Sequence, residues 1–190
     1  RLAHDGLMRR VIGGSFSIFS DYEITGMIRD DRVEAYGLPI GTIFHWLRES
    51  GAGRPGLFTD VGLGTYLDPR MEGGRANRAA GAALSEIVRV RDREYLFYPA
   101  LHVDAAIIRG TSADSQGNIS VEHEPVSLGI FTLAVAAKHC GGTVIAQVKR
   151  RVESGSVHPR LTIVPGRLVD AIVVDPEQPQ MVVGERPEIA

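Results

Sequence analysis

The sequence predicts an α/β fold, an open and mostly parallel sheet flanked by helices, with a small β-hairpin excursion. Apolar runs at residues 103–109 and 143–148 bracket a stretch of helical period at 128–139, the order of strand, helix and strand. Glycine and proline clusters punctuate the runs, notably Gly13-Gly14-Ser15, Pro39-Ile40-Gly41-Thr42 and Gly62-Leu63-Gly64-Thr65. Two further strand-like runs, 87–90 and 95–98, flank Arg91-Asp92-Arg93-Glu94 at hairpin spacing.

From the N-terminus, Leu2, Leu7, Met8, Val11 and Ile12 recur near helical spacing and predict a short amphipathic helix that Gly13-Gly14 breaks. Residues 16–19 read as a short buried run. Ser20 and Asp21 suit the N-cap of a helix over 22–29. Val33, Ala35 and Gly37 alternate with Glu34, Tyr36 and Leu38 in a strand over 32–38. The turn at Pro39-Ile40-Gly41-Thr42 opens a helix bearing Ile43, Phe44, Trp46 and Leu47, which stops at Ser50-Gly51-Ala52-Gly53. A strand at 57–61 leads into Gly62-Leu63-Gly64-Thr65, and residues 66–83, rich in Gly, Ala and Arg, form a long excursion.

Beyond the hairpin, Asp114-Ser115-Gln116-Gly117-Asn118 turns the chain into a strand at 119–121, and Gly141-Gly142 closes the 128–139 helix. Strands at 161–164 and 168–174 complete the sheet across Pro165-Gly166. The Pro- and Glu-rich tail from Asp175 reads as a linker. In open α/β sheets, ligands sit beyond the strand C-termini. That rule directs attention to the three glycine-bearing loops.

Composition narrows the function classes. A chain of 190 residues with 44% hydrophobic content has the makings of a globular domain, not a disordered segment. No apolar run approaches the roughly 20 residues of a membrane span, and a net charge of −2 lacks the basic surplus of a nucleic-acid binder. Cys140 stands alone, so no internal disulfide is expected, and its place at a helix end suggests inert packing. His4, His45, His102, His123, His139 and His158 are scattered at no metal-ligand spacing, so no metal is expected. His45 lies on the helix after the Ile40 turn, where packing beside Trp46 or exposure to solvent competes with a place in a pocket. Glu122-His123-Glu124 reads as strand, whose alternation parts His123 from both glutamates. Lys149-Arg150-Arg151 reads as a solvated strand end, and Gly62-Leu63-Gly64 lacks the last glycine of a dinucleotide fingerprint. The chain opens Arg1-Leu2-Ala3-His4 with neither an initiator Met nor an apolar leader, and it reads as a piece of a larger cytoplasmic protein.

Taken in order, a longer series of motifs is specific. Glu34-Ala35-Tyr36-Gly37-Leu38-Pro39-Ile40-Gly41 is followed by Gly51-Ala52-Gly53-Arg54-Pro55-Gly56, Val61-Gly62-Leu63-Gly64-Thr65 and Asp68-Pro69-Arg70. Then come Gly73-Gly74 through Asn77, Tyr95-Leu96-Phe97-Tyr98, Asp104-Ala105-Ala106-Ile107-Ile108-Arg109-Gly110-Thr111, Ile145-Ala146-Gln147-Val148 and Val164-Pro165-Gly166. From about Leu2 to Asp175 the series resembles the glutamate-dependent (family I) coenzyme A transferases, in the branch acting on acetate, propionate and 3-oxoacids. The resemblance covers most of the first, or alpha, half: residues 1–175 fall in that domain and 176–190 form a linker toward a second half.

The resemblance implies transfer of CoA from an acyl-CoA to a short-chain carboxylate, as in short-chain fatty acid and ketone body metabolism. The nucleophilic glutamate, which forms a glutamyl-CoA thioester, belongs to the second half, so this segment holds no catalytic residue and is expected to be inactive alone. Coenzyme A is then a substrate, with no bound cofactor. The expected partners are acyl-CoA, the carboxylate, the second half and further copies in a homo-oligomer, with neither nucleic acid nor membrane. Ser15, Phe16, Ile40, Gly41, Thr42, Gly62, Gly64 and Thr65 are the residues placed to bind substrate.

Two departures stand out. In the family the turn after the Tyr36 strand usually carries Gln between Pro and Gly, and its amide binds the carbonyl oxygen as charge develops. Here that position is Ile40, which has no donor. Ser15-Phe16 replaces the more usual His-Trp or Phe-Gly. Both changes fall on loops expected to face the acyl group. A backbone amide of Gly41 or Thr42, the Thr42 hydroxyl or a water is then left to stand in. An altered pocket for the same transfer competes with divergent chemistry, either an acyl-CoA thioesterase or a non-catalytic subunit.

Overall fold

The computed structural model describes residues 3–16 and 23–179. They form two compact units: one holds the described residues up to Glu49 and Arg54–Leu101, the other Ser50–Gly53 and those from His102 onward. The α/β class holds, but the strands fall into three sheets rather than one.

The first unit begins with strand β1 (Arg10–Gly13), helix α1 (Glu23–Arg29) and strand β2 (Glu34–Gly37). β1 and β2 pair in parallel, Arg10 opposite Glu34 and Gly13 opposite Gly37. A helix was expected through Val11 and Ile12. Two neighbouring apolar residues fit either period, and the exposed edge of β2 captured them as strand. Residues 17–22, with the Ser20 and Asp21 cap and most of the 16–19 run, lie outside the described residues. Phe16 packs against the small cluster of Met27, Ile28, Val33 and Ala35.

Helix α2 (Ile40–Gly51) follows β2 directly. Trp46 donates its indole N–H to the Pro99 carbonyl at 2.6 Å and lies 5.2 Å from the Tyr98 ring, which fixes how the helix is turned. Strands β3 (Gly56–Thr59), β4 (Glu86–Val90) and β5 (Arg93–Pro99) form an antiparallel sheet in the order β3-β5-β4. The expected hairpin is β4–β5, joined at Arg91-Asp92, with Arg91 at φ 53°. The excursion between β3 and β4 is mostly turns, tied to β2 by an isolated bridge between Arg75 and Tyr36 and by side chains.

The second unit is built on strands β6 (Ala105–Asp114), β7 (Ile119–Ser120), β8 (Thr143–Val152), β9 (Thr162–Val164) and β10 (Ala171–Val174), with helix α3 (Ile130–His139). The sheet order is β10-β8-β6-β7-β9. β10, β8 and β6 are parallel, and β7 runs antiparallel to both its neighbours. Ala106, Ile108, Val144, Ala146 and Val148 form the core with Ala134 and Ala137 of α3, whose small side chains let helix and sheet approach closely.

The chain remains tethered past the last strand. Gln178, 1% exposed, donates to the Gly110 carbonyl and accepts from the Gln147 side chain, each at 3.0 Å. Arg109 also bonds the Pro179 carbonyl.

Candidate functional site

β1 and β2 end side by side, and the loops that leave them carry the first two glycine clusters. Leu38 donates its N–H to the Gly13 carbonyl at 3.0 Å, closing the pair and bringing Gly14 beneath the start of α2. A Cβ on Gly14 would sit 3.3 Å from Cβ of Ile40, a tight contact that a larger residue could keep only by moving α2 a few tenths of an ångström. Ile40 is the first residue of α2, not part of a turn ahead of it, because Ile43 already donates to the Pro39 carbonyl at 3.2 Å. Proline is tolerated there because it brings no N–H that needs a partner. The helix consequently presents the N–H groups of Ile40, Gly41 and Thr42 without intrahelical acceptors, at its positive end.

Beside this end lies a half-open cavity of about 270 Å³ lined by Pro39, Gly41, Thr42, His45, Leu57, Phe58, Thr59 and Val61. The walls follow from the packing. Leu57 belongs to the cluster with Leu38, Trp46, Leu67, Leu96 and Tyr98, while Phe58 points out of the opposite face of β3, its ring 4.5 Å from that of Phe97. Thr42 is buried, whereas Ile40 is 54% exposed.

Of the residues singled out in the sequence, Gly41 and Thr42 line the cavity, and Ile40 lies between two of its lining residues and against Gly14. Phe16 turns toward the Met27 cluster, its ring covering Gly13. Ser15 is exposed in the same loop.

Gly62, Gly64 and Thr65 follow the lining residue Val61 but are engaged in their own turn. The Thr65 hydroxyl donates to the Gly62 carbonyl at 2.8 Å, and the Gly64 N–H donates to Asp68 at 2.9 Å. Asp68 is 1% exposed and takes two further bonds from the Arg70 guanidinium, at 2.7 and 3.0 Å. That guanidinium, with the N–H groups of Gly64 and Arg70, holds the Asp68 carboxyl well below the usual carboxylate range.

Sequence reasoning passed over Leu57, Phe58, Thr59 and Val61 as site residues, and for His45 it favoured packing or solvent exposure over a place in a pocket. Their strand and helix were legible. Their convergence with Pro39 is set by how α2 is turned, which depends on Trp46 and Pro99.

Three glutamates, Glu34, Glu122 and Glu124, are held by cations. Glu34 binds Arg10 at 2.7 Å, Glu122 binds Arg150 at 3.0 Å and Glu124 binds Arg109 at 3.3 Å. Glu122 and Glu124 lie in a turn after the two-residue strand β7, not on a continuing strand, so alternation does not govern their faces. Burial opposes ionisation of Glu122, but hydrogen bonds from Ser112 and Ser120 outweigh it and lower its pKa. Among the described residues, no group of three His, Cys, Asp or Glu side chains is placed to hold a metal ion, and no helix is long and apolar enough to cross a membrane.

The same fold, with substantial sequence identity, recurs in other proteins. Residues 1–175 match the family model for coenzyme A transferase. The chain belongs to that family. It is 40% identical over 175 residues to the caffeate CoA-transferase of Acetobacterium woodii, covering 92% of this chain and 33% of that protein. It is 36% identical over 180 residues to the acetate CoA-transferase YdiF of Escherichia coli O157:H7, covering 95% and 34%. The crystal structure of YdiF as a thioester complex with CoA matches with a TM-score of 0.86 at 35% identity, over 96% of this chain and 37% of that one. More distantly, the alpha subunit of the acetoacetyl-CoA:acetate/butyrate CoA transferase of Clostridium acetobutylicum is 28% identical over 73% of this chain and 55% of its own length. The chain thus spans about a third of the length of these two relatives.

Proposed function

We propose that the complete protein transfers CoA from an acyl-CoA to a short-chain carboxylate, and that this chain supplies most of the first half of the enzyme. The observation that carries the reading is the cavity at the head of α2, beside the paired ends of β1 and β2, in a chain of the CoA-transferase family. The match to the alpha partner of a two-part transferase supports an alpha half, and the thioester complex of YdiF supports a covalent course. Residues 1–175 are then the alpha-half domain. The following residues lead toward the second half, which carries the nucleophilic glutamate. Cytoplasmic location and assembly into a homo-oligomer belong to the same reading.

In the chemistry proposed, the glutamate carboxylate attacks the acyl-CoA thioester, giving a mixed anhydride and CoA thiolate. The thiolate attacks the glutamyl carbonyl, releases the donor carboxylate and leaves a glutamyl-CoA thioester. The acceptor carboxylate then takes the CoA through the reverse sequence, restoring the glutamate, so the kinetics are ping-pong. This chain contributes the N–H groups at the head of α2 and the buried Thr42 hydroxyl. They are fixed dipoles aimed where negative charge develops on oxygen.

Ile40 favours a second reading. A half-exposed alkyl side chain stands where the family carries an amide donor, which suits a divergent member that hydrolyses acyl-CoA or only supports a catalytic partner. Incubating the complete protein with acyl-CoA and labelled acetate separates the readings. Labelled acetyl-CoA is the expected product. Free CoA without it means hydrolysis, and absence of both, with no enzyme-bound thioester trapped by borohydride, rejects catalysis.

A further inference from the structure

We infer that the cavity beside α2 takes an apolar acyl group longer than four carbons, with Phe58 and Val61 as the side chains that select it. The inference rests on the CoA-transferase reading. The cavity is large for an acetyl group: about 270 Å³, where one water occupies about 30 Å³ of liquid and a methylene is of similar size. Its walls are chiefly Pro39, Leu57, Phe58 and Val61, relieved by Thr42, Thr59 and His45, with no carboxylate, Lys or Arg among them. Phe58 is 46% exposed and Val61 55%, so two large apolar side chains border one hollow with part of their surface in water. Covering such surface with a substrate chain is favourable by roughly fourfold in affinity per buried methylene.

The far boundary is visible as well. Phe58, Leu57 and His45 also wall a neighbouring hollow of about 470 Å³, whose other sides are Arg48, Glu49, Arg54, Pro55 and Gly56. Past Phe58 the surface becomes charged, so the apolar stretch ends at that ring. An acetyl group would reach the head of α2 and leave Phe58 and Val61 wet. A six-carbon or phenylpropanoyl group would cover both.

The test uses the full-length protein with labelled acetate as acceptor and acetyl-, butyryl-, hexanoyl- or 3-phenylpropanoyl-CoA as donor, reading kcat/KM from labelled acetyl-CoA. Hexanoyl- and phenylpropanoyl-CoA are expected to exceed acetyl-CoA by at least tenfold. Val61→Trp, which fills the cavity from an exposed position, lowers the hexanoyl-to-acetyl ratio at least fivefold. Phe58→Ala lowers it in the same direction by removing a wall. Equal or better use of acetyl-CoA by the unmodified enzyme overturns the inference while leaving CoA transfer intact, as does a ratio that neither variant changes. No labelled product from any donor overturns the transfer reading itself, and the inference with it.

Discussion

Asn77 makes four hydrogen bonds with one amide. It donates to the Ile28 and Val33 carbonyls and accepts from the Ala35 and Ala80 N–H groups, at 2.8 to 3.2 Å. Each stranded backbone group costs about 1–3 kcal/mol, so Asn77→Ala is expected to lose about 3 kcal/mol in urea unfolding, with relaxation and water absorbing part of the sum. Asp68 acts through charge. Its folded pKa lies below its unfolded value of about 3.9, so its stabilisation is present above that value and lost as pH falls through the folded pKa. The unmodified protein should therefore lose Tm more steeply below about pH 4 than Asp68→Asn, as a calorimetric pH series would show. At Ile40 the residue scale meets function. If the transition state wants a donor there, Ile40→Gln raises kcat at least tenfold, within the roughly 10²–10³ range of single oxyanion donors. An unchanged or lower rate would show that the N–H groups of α2 suffice.

At the scale of elements, α3 was legible because its apolar period persists for several turns and Gly141, at φ 75°, stops it. The β4–β5 hairpin was legible from alternation on either side of Arg91-Asp92. β1 was not, because its four residues are too few to carry a period and only pairing with β2 makes them strand. The start of α2 was misplaced because Pro39 also suits a turn, and the Ile43 bond to its carbonyl is invisible in sequence. The β6–β7 crossing depends on a missing side chain. A Cβ on Gly110 would overlap Cγ2 of Ile119 and lie 2.9 Å from the Ser120 carbonyl. Gly110→Ala is therefore expected to cost about 1–3 kcal/mol by overpacking, and hydrogen exchange should show the loosening first at Ile119 and Ser120.

At the scale of the whole molecule, residues matching a third of two relatives hold one cavity at the head of α2 and no glutamate free of a cation among Glu34, Glu122 and Glu124. Residues 1–190 expressed alone are expected to yield no labelled acetyl-CoA, whereas the full-length protein yields it; turnover by the short chain would place the nucleophile within it. Residue order and short-range periodicity were enough for the family and the α/β class, because both are written in local patterns along the chain. The tertiary structure alone decided that Gly62, Gly64 and Thr65 spend their polar groups on Asp68 and each other, while Phe58 and Val61 face a cavity. Those outcomes depend on the turn of α2 set by Trp46 and Pro99, and on a buried charge four residues beyond Gly64. The Trp46–Pro99 contact joins residues 53 positions apart and leaves no period or spacing for a sequence to show. The Asp68 bonds are local but belong to an irregular turn that carries no period either.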